Sequence, residues 1–106
     1  MTGHESYIET GNLLANKHGS SLGKMFGKES LVYQTKAFAA FQNDRMIFRL
    51  GADHIADIKD KYSGSENWDP SGKGRAMKDW LSVPHAFASD WISLGEQALE
   101  RLKSTL

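Results

Sequence analysis

The chain has 106 residues, 40% of them hydrophobic and 25% charged, with ten Gly and two Pro. This is the size and chemistry of one globular domain, able to bury roughly two thirds of its unfolded surface, and it excludes disorder, collagen and coiled coil. Thirteen Lys and Arg balance thirteen Asp and Glu, and Cys is absent, so no global field draws in a polyanion or a membrane, and disulfides, thiol nucleophiles, zinc fingers and iron-sulfur ligation are excluded.

Ser6 and Glu9 have the spacing of a capping box, and Tyr7, Gly11, Leu14 and His18 fall at helical intervals before Gly19. They predict a first helix ending near His18. Gly11 and Asn12 weaken its middle by about 1 kcal/mol or more, which makes Thr10 an alternative start. From Gly23 onward, short aromatic and branched runs at Lys24 to Phe26, Leu31 to Tyr33, Ala37 to Phe41 and Arg45 to Leu50 read as strands. The pairs Gln34-Thr35 and Asn43-Asp44 are short enough for hairpin turns, and Asn and Asp tolerate the left-handed conformation. The result is a three-stranded meander, its first strand interrupted by a bulge around Gly27.

After Gly51, the residues Ile55, Ile58 and Tyr62 recur at steps of three and four, with Gly64 beyond them, and predict a short second helix. Residues 65–75, punctuated by Pro70, Gly72 and Gly74, read as loop with an edge strand at Asn67 to Asp69. Met77 to Val83 alternates again and stops at Pro84. Trp91, Leu94, Ala98 and Leu102 form one helical stripe behind Ser89 as N-cap. The expected fold is a two-layer α+β sandwich in the order α-β-β-β-α-β-β-α, an antiparallel four- or five-stranded sheet with three helices packed on one face. Its core would comprise Phe26, Phe48, Leu50, Ile55, Ile58, Leu81, Trp91, Leu94, Ala98 and Leu102, with Phe41 and Tyr62 on apolar faces. Apolar runs fall far short of the roughly 20 residues that span a bilayer, and Met1 to Asn12 lacks the basic start and apolar stretch of a signal peptide. A cytoplasmic protein without a membrane partner is expected.

Chemistry-bearing constellations are sparse. His4, His18, His54 and His85 share no ligand spacing, and His54 with Asp53 and Asp57 lacks the further ligands that a metal site needs. His18 beside Gly19 suits the negative end of its helix. No Ser stands in a nucleophile elbow. Residues 71–75, Ser-Gly-Lys-Gly-Arg, offer backbone amides and two cations to a phosphate, but a phosphate loop needs a strand before it and a helix after, so a solvated hairpin tip is the simpler reading. No catalytic, metal or cofactor-binding residue is assigned, and no cofactor is expected.

Charge layout says more. Residues 17–49 and 71–83 hold nine Lys and Arg against Glu29, Asp44 and Asp79, a balance of plus six, so the remainder carries minus six. In a two-layer fold this predicts a basic sheet side and an acidic helix side. If Met46, Phe48 and Leu50 point to the helices, then Arg45, Ile47 and Arg49 point outward, and Lys78 and Trp80 oppose Met77, Leu81 and Val83. Lys36, Arg45, Arg49, Lys73, Arg75, Lys78 and Trp80 thus form the candidate binding surface, with Ile47 and Phe38 among them. Such an open face suits an acidic protein partner or, by stacking and phosphate contacts, nucleic acid; zero net charge and the lack of an RNA-binding signature favour a solvated face or a homodimer seam over nucleic acid.

Lys24-Met25-Phe26-Gly27, Leu31-Val32-Tyr33, Lys36-Ala37-Phe38-Ala39, the Asp44 to Leu50 strand, Gly74-Arg75-Ala76-Met77-Lys78-Asp79-Trp80, Val83-Pro84 and Trp91 with Leu94 and Ala98 follow one another in an order and spacing that resembles the TfoX N-terminal domain family, over about residues 14–103. The resemblance implies the same helix and strand order. It also implies a bacterial protein of regulatory type, since the best known members regulate natural competence; those members carry a second, helical C-terminal domain that is not expected here. The family supplies no catalytic residues. The expected function is therefore a non-enzymatic regulatory module that binds a protein, the alternative being a nucleic acid or small anionic ligand on the basic face.

Overall fold

A computed structural model describes residues 1–25 and 27–106; the expected core position Phe26 lies outside the described residues. Helix α1 (Gly3–His18) starts a turn before the expected capping box. Thr2 Oγ1 accepts from the Glu5 N–H at 3.1 Å, and the Glu5 carboxylate accepts from the Thr2 N–H at 2.9 Å. Thr2 and Glu5 have the same spacing as Ser6 and Glu9, and the earlier box adds a turn that buries Ser6 and Tyr7. Gly11 does not break the helix. A Cβ there would stand 2.9 Å from Leu31 Cδ2, so the bare backbone lets α1 lie close on the sheet, offsetting its poor propensity.

Strands β1 (Ser21–Met25), β2 (Lys28–Tyr33), β3 (Lys36–Gln42) and β4 (Arg45–Arg49) follow as an antiparallel meander. Met25 and Lys28 are cross-strand partners, so the expected bulge near Gly27 is a full reversal of the chain and the expected first strand is a hairpin. Gln34, Thr35, Asn43 and Asp44 all take positive φ, between 48° and 69°, the geometry that two-residue hairpin turns require. Helix α2 (Ala52–Ile58) runs into a 3-10 turn at Lys59–Lys61; β5 (Glu66–Trp68) and β6 (Met77–Pro84) complete the sheet. A 3-10 turn at His85–Asp90 leads into α3 (Trp91–Ser104), whose N-cap is Asp90 instead of Ser89. The preceding turn supplies the carbonyl of Ala88 to the Trp91 N–H, leaving a side-chain cap less to do.

The architecture is α+β: three helices packed on a six-stranded antiparallel sheet ordered β1-β2-β3-β4-β6-β5. The sheet exceeds the expected four or five strands because β1 is separate. Phe48, Leu50, Ile55, Ile58, Leu81, Trp91, Leu94, Ala98 and Leu102 all lie in the core between the layers, joined by Tyr7 and Leu14 of α1. Phe38 is there too, which corrects its expected outward placement. In the β2/β3 ladder, Leu31 faces Ala39 and Val32 faces Ala37, so Phe38 is the extra residue of a bulge. A bulge breaks strict alternation, and Phe38 and Ala39 both enter the core.

Candidate functional site: the basic positions and the braced hairpin tip

The face of the sheet turned away from the helices is not open. Ala40, Ile47, Trp68 and Trp80 form a second buried cluster there, with Met25 and Ala37 packed against it. Trp80 is 5% exposed and Ile47 fully buried, so the expectation of an exposed Trp80 stacking platform is corrected. The cover comes from the protein's own β5/β6 hairpin. Asn67 is in register with Leu81 and Trp68 with Met77, so residues 78–80 bulge out of the ladder. The Asn67 amide fills that bulge, donating toward the carbonyls of Met77, Lys78 and Trp80 at 3.2 to 3.4 Å. The hairpin bends there and lays Trp68 on Trp80, its indole N–H donating to Gln42 Oε1 at 2.8 Å. Ala37 and Ala40 leave the volume that two indoles occupy.

The seven candidate positions consequently divide. Arg45 is engaged as a tie: Nε donates to Ser82 Oγ at 2.7 Å, and Nη2 to the carbonyls of Gly64 at 2.6 Å and Ser82 at 3.0 Å. Arg49 is the cross-strand partner of Trp80, with its guanidinium carbon 5.9 Å from the ring centroid, a cation–π contact at the outer limit of range. Arg49 also shares a cavity of about 320 Å³ with Lys36 and with Arg101 of α3; sequence reading did not single out Arg101. Lys73, Arg75 and Lys78 are exposed, the first two on the tip of the covering hairpin.

That tip is built around one carboxylate. Asp69 Oδ1 accepts from the Gly72 N–H at 3.0 Å and the Ser71 hydroxyl at 3.0 Å, and Oδ2 from the N–H groups of Gly74 at 2.7 Å and Arg75 at 3.1 Å. Gly72 and Gly74 take φ of 68° and 78°, turning successive amides inward. Loss of solvent pushes the Asp69 carboxyl up, and the donors from Gly74, Ser71, Arg75 and Gly72 outweigh it, so its pKa falls below the usual carboxylate range. The amides that could have cradled a phosphate already hold this side chain. The sequence signal was present: Asp followed by Gly at the third and fifth positions is the composition of an Asx-type loop.

Each histidine bridges one element to another. His4 Nε2 meets Glu29 at 2.9 Å, His18 Nε2 meets Glu96 Oε2 at 2.9 Å, and His54 Nε2 meets Gln97 Oε1 at 2.6 Å. His85 Nε2 lies 3.1 Å from Ser6 Oγ, while its Nδ1 lies 3.9 Å from Asp44 Oδ2. Sequence spacing hid this last grouping, whose order of carboxylate, imidazole and hydroxyl is that of a hydrolase triad. Ser6, however, is 8% exposed and its hydroxyl donates to Met1 Sδ at 3.6 Å, so the contact ties α1 to the turn before α3. Among the described residues, no three His, Asp or Glu side chains converge as metal ligands, and no helix is long and apolar enough to cross a membrane.

No protein-family model matches this sequence, and neither a curated protein nor a solved structure matches it.

Proposed function

We propose that this chain is a bacterial, cytoplasmic interaction module of regulatory type, which acts by contact and not by chemistry, and that Lys73 and Arg75 on the β5/β6 tip present it to an acidic protein partner. The observation that carries this reading is the bracing of residues 71–75 by Asp69. Ordering a loop before binding removes part of the entropy cost of association, and here the braced loop holds two exposed cations whose side-chain charges make no ion pair among the described residues. The regulatory part rests on the resemblance to TfoX N-terminal domains. Nucleic acid is the weaker alternative, because a buried Trp80 cannot stack on a base.

The test is affinity purification from the native cell with the wild-type chain and with the Lys73→Glu/Arg75→Glu double variant, at low and high salt. An acidic protein should come along with wild type, fall away as salt rises, and be missing with the variant. Identical sets of retained proteins from both chains would remove the tip from the reading.

A further inference from the structure

Lys36 opens β3, Arg49 closes β4 and Arg101 lies in the last turns of α3, yet all three line one cavity of about 320 Å³, with Phe38, Ala98, Leu102 and Thr105 as the rest of its wall. None of the three has a carboxylate within 4.0 Å; among the described residues Lys17 is the one Lys or Arg that does. Two details show that the cations are placed there by the fold. Arg101 Nε lies 2.7 Å from where a Cβ on Gly51 would stand, and Gly51 has φ 84°, so the guanidinium rests on a backbone position that any side chain would fill. Arg49 Nε is closed off from solvent without a hydrogen-bond acceptor, the distant Trp80 face being its compensating contact.

Three like charges on one cavity repel each other, and a buried charged donor without an acceptor carries an unrelieved desolvation cost. An anion among the three cations relieves the repulsion. Asp53 and Asp79 line the adjoining cavity on the other flank of Arg101, beyond ion-pair distance of it, and leave the side facing Lys36 and Arg49 to a ligand. We propose that this cavity is a binding site for a small phosphomonoester, its phosphate among Lys36, Arg49 and Arg101 and its apolar body against Leu102 and Thr105. A phosphate dianion offers three terminal oxygens and can accept from three cations at once, while guanidinium forks match its geometry. The volume suits a ligand of metabolite size, at the small end of such sites. The site lies apart from the hairpin tip and does not depend on the reading of the tip as a protein contact.

Phenyl phosphate serves as probe, with inorganic phosphate and benzoate as comparison ligands, in calorimetric titration and in a nitrogen-15 NMR titration of wild type. Phenyl phosphate should bind more tightly than either comparison ligand and move the signals of Leu102, Thr105 and the Arg49 side chain. Lys36→Gln and Arg101→Gln should each weaken it about tenfold or more, the order expected for losing one charge-assisted hydrogen bond, while Lys73→Gln on the tip should leave it unchanged. Absence of binding at millimolar phenyl phosphate, an equal loss in Lys73→Gln, or shifts confined to other residues would each overturn the proposal. If Arg101→Gln fails to fold, Lys36→Gln and the wild-type titration decide.

Discussion

The indole of Trp68 lies 5.4 Å from that of Trp80, tilted by 54°, and this contact turns what alternation marks as an outer sheet face into a second core. Trp68 stands at the end of the edge strand, yet it is 4% exposed because the hairpin that carries it folds back over the sheet. Trp68→Ala should therefore cost as much as a central aromatic, about 3 to 5 kcal/mol, and leave Trp80 open to solvent. Chemical denaturation followed by tryptophan fluorescence reads both effects. A loss under about 1 kcal/mol would mean that the hairpin is not holding the sheet closed.

Asn67 bends that hairpin, so its substitution should reach the same cluster from the backbone side. Its amide donates toward the carbonyls of Met77, Lys78 and Trp80 in and beside the bulge, and Asn67→Leu leaves them without that donor. We expect a loss of about 1 to 3 kcal/mol together with faster hydrogen exchange at residues 77–80. Exchange rates equal to those of wild type would show that the bulge stands without the amide.

The amino-acid pattern revealed strand parity and turn positions well, and for a physical reason. Gln34-Thr35 and Asn43-Asp44 carry positive φ at all four residues, and the alternation through Met46, Ile47 and Phe48 divides the two cores correctly. Alternation reports which side of a strand a residue takes, however, and not what later covers that side. Trp80 was legible as outward-facing, but its burial depends on the bulge at residues 78–80 opposite Asn67 and Trp68, a pairing across the hairpin that no local propensity encodes. Phe38 was misplaced by another bulge, where one inserted residue reverses parity. Of the seven candidate positions, Lys36 and Arg49 do converge, but on Arg101 from the opposite layer; a contact between a strand end and the last turns of a helix leaves no spacing signal.

Glu96 joins α1 to α3 through His18 at 2.9 Å and Lys17 at 3.6 Å. The His18 hydrogen bond sets its carboxyl below the usual range, against an opposing desolvation and with the help of the Lys17 charge. A depressed carboxyl contributes stability that is present above its unfolded value and is lost as pH falls through the folded one. The pair is half-exposed, so the loss is small, about 0 to 1 kcal/mol. Glu96→Gln should lower stability at neutral pH by that amount and flatten the decline below about pH 4.5; urea titrations of both chains across pH 3 to 7, a range taken about the ordinary carboxylate value, make the comparison. Parallel curves would assign the acid sensitivity to other carboxylates.

Trp91 is the largest fully buried side chain and stands at the start of α3, against His85 at a centroid distance of 5.7 Å. Among the described residues its indole N–H has no acceptor, so its contribution is packing. Trp91→Ala should cost about 3 to 5 kcal/mol, whereas Trp91→Phe, which removes the unpaired donor along with part of the volume, should cost much less. Thermal unfolding of the two variants separates these outcomes, and an unchanged midpoint in Trp91→Ala would contradict the packing of α3 on the sheet.

Tyr7 presents the same imbalance in a group that titrates. It is 1% exposed, stacked on Phe41 at 5.1 Å, and its hydroxyl has no hydrogen-bond partner among the described residues. Burial, with the negative charge of Glu29 adding to it, pushes the hydroxyl well above the ordinary tyrosine range. A group whose folded pKa is raised contributes stability that is complete below its unfolded value, near 10, and is lost as pH climbs past it, because the unfolded chain releases the proton first. Tyr7→Phe removes both the unpaired hydroxyl and the titration. Its stability should equal or exceed that of wild type at pH 7, since deleting a buried polar group that lacks a partner relieves its desolvation cost. Above about pH 10 the two chains should diverge, wild type losing stability that the variant keeps. Guanidinium unfolding at pH 7, 9 and 11, chosen to bracket the ordinary tyrosine value, tests the point: a constant difference between the chains across the three values would mean that Tyr7 reaches water or an acceptor before the chain unfolds.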